Sequence, residues 1–132
     1  MIQQFSLHGF RWSASRTIEC SESTCIIGAN GSGKTHLLEA IHLASGGELQ
    51  YLQAPWKEDA CLEFDYMTSF GPKHFSRTRQ GGKDIYQIQQ KKISGIKYQE
   101  NLPHRTLLVS PFDMNLLYFS PSARREYIYS II

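Results

Sequence analysis

The chain has 132 residues, 41% of them hydrophobic and 20% charged, the balance of an ordinary globular domain with a single core. No apolar run approaches the roughly 20 residues that span a bilayer. The opening stretch is polar and broken by His8, Gly9 and Arg11, unlike a signal peptide, so a cytoplasmic protein with no membrane partner is expected. The net charge of +2 hides an asymmetry. Lys73, Arg77, Arg79, Lys83, Lys91, Lys92, Lys97 and Arg105 face only Asp84 and Glu100, so residues 73–105 are strongly basic and the remainder acidic. A solvated face is the plain reading of that stretch, and contact with DNA the sharper one.

In chain order, residues 2–10 alternate apolar and polar around Phe5 and Leu7, which predicts a strand solvated on one face. Residues 17–20 read as a short strand returning toward it. After a polar turn at Ser21, Glu22 and Ser23, the run Thr24, Cys25, Ile26, Ile27 predicts a buried strand ending at Gly28. From Gly33 the period changes: Leu37, Leu38, Ile41 and Ala44 form a helical stripe that Gly46 and Gly47 stop. Residues 48–56, with Pro55, are ambiguous. Strand-like pieces come next at 60–66, 74–79, 84–89 and 92–98, punctuated as turns by Gly71-Pro72, Gly81-Gly82 and Ser94-Gly95, and together they predict an antiparallel meander. Residues 106–109 predict another buried strand. Ser110-Pro111 with Asp113, and then Ser120-Pro121, each open a helix with a capping serine and a proline at the first position. The second helix runs through Ala123, Arg124, Tyr127, Ile128 and Ile131.

Cys20, Cys25 and Cys61 are odd in number and lack C-x-x-C spacing, so they are expected to be buried reduced thiols. His8, His36, His42, His74 and His104 are scattered and form no metal-binding pattern.

One motif carries chemistry. Gly28, Ala29, Asn30, Gly31, Ser32, Gly33, Lys34 and Thr35 fit G-x-x-x-x-G-K-[ST] at every fixed position. Gly28, Gly31 and Gly33 let the backbone turn tightly and bring its N–H groups against phosphate oxygens. Lys34 supplies a point charge for the β- and γ-phosphates, Thr35 a hydroxyl for Mg²⁺, and the adjoining helix its positive dipole end. Coincidence would produce the motif in roughly one of a few hundred chains of this size. The apolar run before it and the amphipathic pattern after it supply the expected context, so nucleotide binding is expected.

Weaker candidates surround it. Asn30 and His36 border the loop and could touch phosphate, although either is more often a surface residue. Trp12 and Trp56 are more simply packing residues than base-stacking ones. Arg124 and Arg125 could meet phosphate or a partner, or simply face water. No apolar run ends in Asp-Glu, and Glu63 and Asp65 lie in an alternating segment. The acid that normally holds Mg²⁺ for hydrolysis is therefore not found. ATPase activity is left open, with no catalytic residue assigned. A small kinase-like enzyme would need an acceptor lid and a catalytic acid, while a non-catalytic partner module would need only the loop.

These residues resemble the RecF family and its SMC relatives. Leu7, His8, Gly9, Phe10, Arg11 is similar to their L-x-N-F-R start, with Gly9 in place of Asn. The loop continues through His36, Leu37, Leu38, Glu39, Ala40 and Ile41 like their G-x-N-G-x-G-K-[ST]-x-L-L-E-A-I segment. Ser110-Pro111-Phe112-Asp113-Met114-Asn115-Leu116-Leu117, then Ser120-Pro121-Ser122-Ala123-Arg124-Arg125-Glu126-Tyr127-Ile128, resembles the RecF run S-P-E-D-L-x-L-V-x-G-S-P-x-x-R-R-x-F-L-D, with Phe119 for Gly and Tyr129 for Asp. SMC heads lack this segment, so RecF is the better match.

The resemblance implies an α/β fold, the N-terminal half of an ABC-type P-loop NTPase head with an antiparallel β-layer. It implies residues 1–132 as one ATP-binding lobe, incomplete at its C-terminus. By the same resemblance, residues 28–36 hold ATP and Thr35 holds Mg²⁺. DNA, recombination mediator proteins and a second copy joined through ATP become partners, in replication, recombinational repair and the SOS response. The family's Walker B acids and signature motif lie beyond the segment that this chain resembles.

Overall fold

The computed structural model describes residues 1–11, 14–47, 57–109 and 120–131. The alternation around Phe5 and Leu7 does build a strand, β1 (Ile2–His8), and β2 (Arg16–Glu19) returns antiparallel to it. Beyond the helix α1 (Lys34–Ala44) come β3 (Cys61–Thr68), β4 (Gly71–Gln80), β5 (Lys83–Ile88) and β6 (Lys91–Ile93). All six join one sheet in the order β2-β1-β3-β4-β5-β6, with every neighbour antiparallel. The meander from β3 to β6 is therefore as expected. Two further helices are α2 (Gly95–Asn101) and α3 (Pro121–Ile131), the latter opened by Ser120 and Pro121.

Because side chains alternate across a strand, the sheet has two unlike faces. Phe5, Leu7, Leu62, Phe64, Tyr66 and Phe75 point to one face and are buried there with Leu37, Ala40, Leu43 and Ala44 of α1 and Tyr98 of α2. Phe64 and Phe75 stack with ring centroids 4.8 Å apart. Each buried Phe or Leu side chain contributes about 1.5–3 kcal/mol by leaving water. The opposite face is polar and internally bonded: Ser6 meets Thr17, His74 meets Asp65 at 2.8 Å, and Ser76 meets Gln87.

Several expectations need correction. The run 24–27 is not a strand, and Cys25 and Ile27 are exposed, Ile27 at 88%. Residues 106–109 likewise form no strand, with Leu107 and Val109 exposed. An apolar run becomes a buried strand only where another strand offers donors and acceptors, and neither run finds a ladder among the described residues. Residues 92–98 do not continue as one strand. The Ser94 side chain accepts from the Lys97 N–H and starts α2, so the chain turns from β6 into a helix there. Gly71 and Pro72 already belong to β4, and the turn lies just before them at Ser69 and Phe70. Gly81 and Gly82 do form their turn, with their N–H groups donating to the Glu58 carboxylate.

The thiols are not uniformly buried either. Cys25 is exposed, while Cys20 and Cys61 are half-buried. Burial pushes the Cys61 thiol up to about 11, against the lowering effect of its bond from Thr78, and also raises Cys20. Residues 48–56, the Ser110-Pro111 cap with Asp113, and Trp12 and Trp56 lie outside the described residues. Among the described residues no helix is long and apolar enough to cross a membrane, and no cluster of His, Cys, Asp and Glu is grouped to hold a metal ion.

Candidate functional site

The loop of residues 28–35 leads directly into α1. Gly31 and Gly33 take positive φ angles of 77° and 89°, and Gly33 is the left-handed N-cap residue of the helix. As a glycine it brings no side chain to cap this end. The first intrahelical bond runs from the Leu37 N–H to the Gly33 carbonyl at 3.0 Å, so the amides of the first turn face outward as donors. The Ser32 N–H closes the loop on the Ala29 carbonyl at 3.2 Å. A side chain at position 28 would meet the Ser32 hydroxyl at 2.7 Å, and nothing lies within 4 Å of where one would sit at Gly31. The loop is thus tight on its inside and open above Gly31.

The Lys34 ammonium folds back over the loop. It donates to the Gly28 carbonyl at 2.7 Å and the Ala29 carbonyl at 2.6 Å, with the Ser32 hydroxyl at 3.5 Å. A positive charge and a set of outward amides are therefore held on one small piece of backbone. That donor set suits an anion with several oxygens, which is what a nucleotide's phosphates present. Thr35 is exposed at the start of the helix, available as an oxygen ligand for a hard cation such as Mg²⁺. Asn30 is exposed and His36 half-buried, both adjoining the loop. The chemistry of these residues fits ATP and Mg²⁺.

Two further groups brace the helix, and the motif alone does not point to them. Arg11, just past β1, is buried and bonds Glu39 of α1 at 2.5 Å, while its Nε and Nη2 have no partner among the described residues. Glu39 stands four residues after Thr35, so the pair shares that side of the helix. The i, i+4 spacing is visible in the sequence, but Arg11 as the partner of Glu39 is not. At the other end, Arg77 donates to the Leu43 carbonyl and Tyr98 to the Ala44 carbonyl.

The basic stretch divides in two. Arg77 and Arg79 are spent on Asp84, at 2.6 and 2.7 Å, and Lys73 lies over the Phe75 ring. Lys83, Lys91, Lys92, Lys97 and Arg105 are exposed. Arg124 and Arg125 are exposed on α3, where the Arg125 Nε donates to the Pro121 carbonyl.

The family model described as an AAA domain matches residues 4–126. The chain is 38% identical over 114 residues to the DNA replication and repair protein RecF of Marinomonas sp. (strain MWYL1), a match covering 78% of this chain and 30% of that protein. It is 33% identical over 112 residues to the same-named protein of Bacillus velezensis (strain DSM 23117 / BGSC 10A6 / LMG 26770 / FZB42), covering 78% of this chain and 29% of the relative. The chain thus spans about 30% of the length of the curated relatives it matches. Among solved structures, that of the recombination mediator protein RecF-ATPrS in the RecFOR pathway superposes with a TM-score of 0.76 at 23% identity, covering 98% of this chain and 37% of that one. The SMC head domain from Thermotoga maritima gives 0.62 at 20% identity, over 75% of this chain and 41% of that one. These superpositions show the fold: an α/β P-loop NTPase head of the ABC type with an antiparallel sheet. The chain belongs to the AAA-domain family, and over 78% of its length it is homologous to RecF proteins.

Proposed function

We propose that this chain is the ATP-binding lobe of a RecF-like protein of DNA replication and recombinational repair. Gly28, Ala29, Asn30, Gly31, Ser32, Gly33, Lys34, Thr35 and His36 form its phosphate site, and Thr35 is the Mg²⁺ ligand. The observation that carries the reading is the uncapped left-handed entry into α1 at Gly33 with the Lys34 ammonium held beside it. Bound nucleotide and Mg²⁺ would supply the phosphate charge and a bridging cation. The chain's own part is to donate amides, hold Lys34 in reach and keep the helix fixed. The sequence carries no apolar run ending in Asp-Glu to hold the metal for water attack, so binding without turnover is expected of this chain.

DNA is the proposed macromolecular partner, supported by exposed Lys83, Lys91, Lys92 and Lys97 at the β5–α2 end of the sheet. Recombination mediator proteins and a second copy joined through ATP are proposed from the RecF relatives, and a cytoplasmic location goes with them.

The test is titration of the purified chain with a fluorescent ATP analogue and Mg²⁺, beside Lys34→Ala, then an ATPase assay. Saturable binding that Lys34→Ala weakens by at least about tenfold, without turnover, is the expected result. Wild-type binding that is absent, or indifferent to Lys34, would reject the site. Turnover would reject the reading of a lobe without catalytic groups.

A further inference from the structure

The last turn of a helix leaves carbonyls without intrahelical partners. In α1 two of these are taken by side chains from separate elements. The Arg77 Nη1 of β4 donates to the Leu43 carbonyl at 2.8 Å, and the buried Tyr98 hydroxyl of α2 donates to the Ala44 carbonyl at 2.7 Å. Neither donor is free to wander. Arg77 is held by Asp84 at 2.6 Å, and its guanidinium lies 5.2 Å from the Tyr86 ring centre. Tyr86 packs against Tyr98 at 5.0 Å, and Tyr98 meets Phe75 edge-on at 5.8 Å. Burial raises the Tyr98 hydroxyl above its ordinary value, so it stays a donor at neutral pH. His42 of the same turn meets Thr106 at 3.0 Å.

The opposite end of α1 starts at Gly33, which has no side chain to cap it. The direction in which it points its amides is therefore set by the packing of Leu37, Ala40 and Leu43 on the sheet, by Arg11 with Glu39, and by the grip on its far end. We propose that Tyr98 and Arg77 are positioning residues for the phosphate loop, fixing its placement by gripping the carbonyl end of α1. This rests on the nucleotide-binding reading above. Geometry gives the leverage. Eleven residues make a rod of about 16 Å, and a tilt of about 4° at one end moves the other by about 1 Å. Amide–phosphate bonds have a window of only about 0.5 Å, so a shift of that size costs most of them.

The test uses the purified chain and Tyr98→Phe, which keeps the ring contacts and removes only the donor. Arg77→Met and Arg77→Lys form a second pair, since lysine retains a donor for the Leu43 carbonyl. Each is titrated with the fluorescent ATP analogue and monitored by amide hydrogen exchange without nucleotide. Tyr98→Phe is expected to bind about three- to tenfold more weakly and to exchange faster at residues 37–40, the first hydrogen-bonded amides of α1, while the β3 amides are unchanged. Arg77→Lys should recover part of what Arg77→Met loses. Wild-type affinity and wild-type exchange at 37–40 in Tyr98→Phe would overturn the proposal. So would a loss of protection spread evenly through β3, which marks general destabilisation. Should the wild type bind no nucleotide, the nucleotide-binding reading fails by itself, and the exchange pattern still decides whether Tyr98 fixes the loop.

Discussion

At the level of single residues, Asp84 shows how a charge is kept inside a sheet. Burial alone would raise its carboxyl, but the bonds from Arg77 and Arg79 outweigh that and hold it below the ordinary 3.8. A carboxylate lowered in the folded state stabilises in full above its unfolded value, and that stability is lost as pH falls through the folded value. Asp84→Asn should therefore cost about 1.5–3 kcal/mol at pH 7, because it removes the charged acceptor that Arg77 and Arg79 share. The gap from wild type should shrink steadily below about pH 3.8. Urea midpoints at pH 7, 4 and 3 check both the size and the sign, and a gap that widens in acid would be the wrong sign. Gly9 illustrates how a departure from a family pattern can be harmless. Its φ of 64° lies in the left-handed region, which glycine and the family's asparagine both tolerate. The loop glycines, Lys34 and Thr35 are legible in the sequence because their chemistry is local. Arg11 with Glu39, and Tyr98 with the Ala44 carbonyl, are not, since each joins residues brought together only by folding.

Elements are legible where their pattern repeats. Phe5 and Leu7, then Leu62, Phe64 and Tyr66, alternate cleanly, and each set forms the buried face of a strand. The stripe of α1 matches its periodicity, except that Leu38 faces outward at 44% exposure. Ser94 reads as a turn residue yet caps a helix, because a capping serine and a turn serine have the same side chain and differ only in the backbone beyond them. Removing that cap with Ser94→Ala should lower stability by about 1 kcal/mol. The urea midpoint is expected to fall with the slope of the transition unchanged, and a changed slope would mean that more than the cap was lost. Residues 24–27 and 106–109 depart from expectation for a different reason. Their composition suits a strand, but strand formation depends on a neighbour, which composition does not report.

For the whole molecule, the consequence of those two segments is apolar surface in a native protein. Ile27, Leu107 and Val109 are exposed at 88%, 58% and 71%. Native protein should therefore bind a dye such as ANS at neutral pH while keeping its near-ultraviolet circular dichroism, which separates this surface from that of a molten globule. Ile27→Ser and Val109→Ser should each reduce the dye signal without lowering the thermal midpoint. An unreduced signal would place the dye elsewhere.

The order of strands in the sheet also sets an order of events. From β4 to β6 each strand lies beside the one just before it, so the β3–β6 half can close by short hairpins. Joining β1 to β3 is another matter, since partners such as Phe5 and Phe64 are far apart in the chain and α1 lies between them. That union requires closing a long loop, the slower kind of step. The loop of residues 28–35 sits inside that long loop and inherits its timing. In a refolding experiment, recovery of nucleotide binding should be among the last signals to appear, well after the strand signal of the meander.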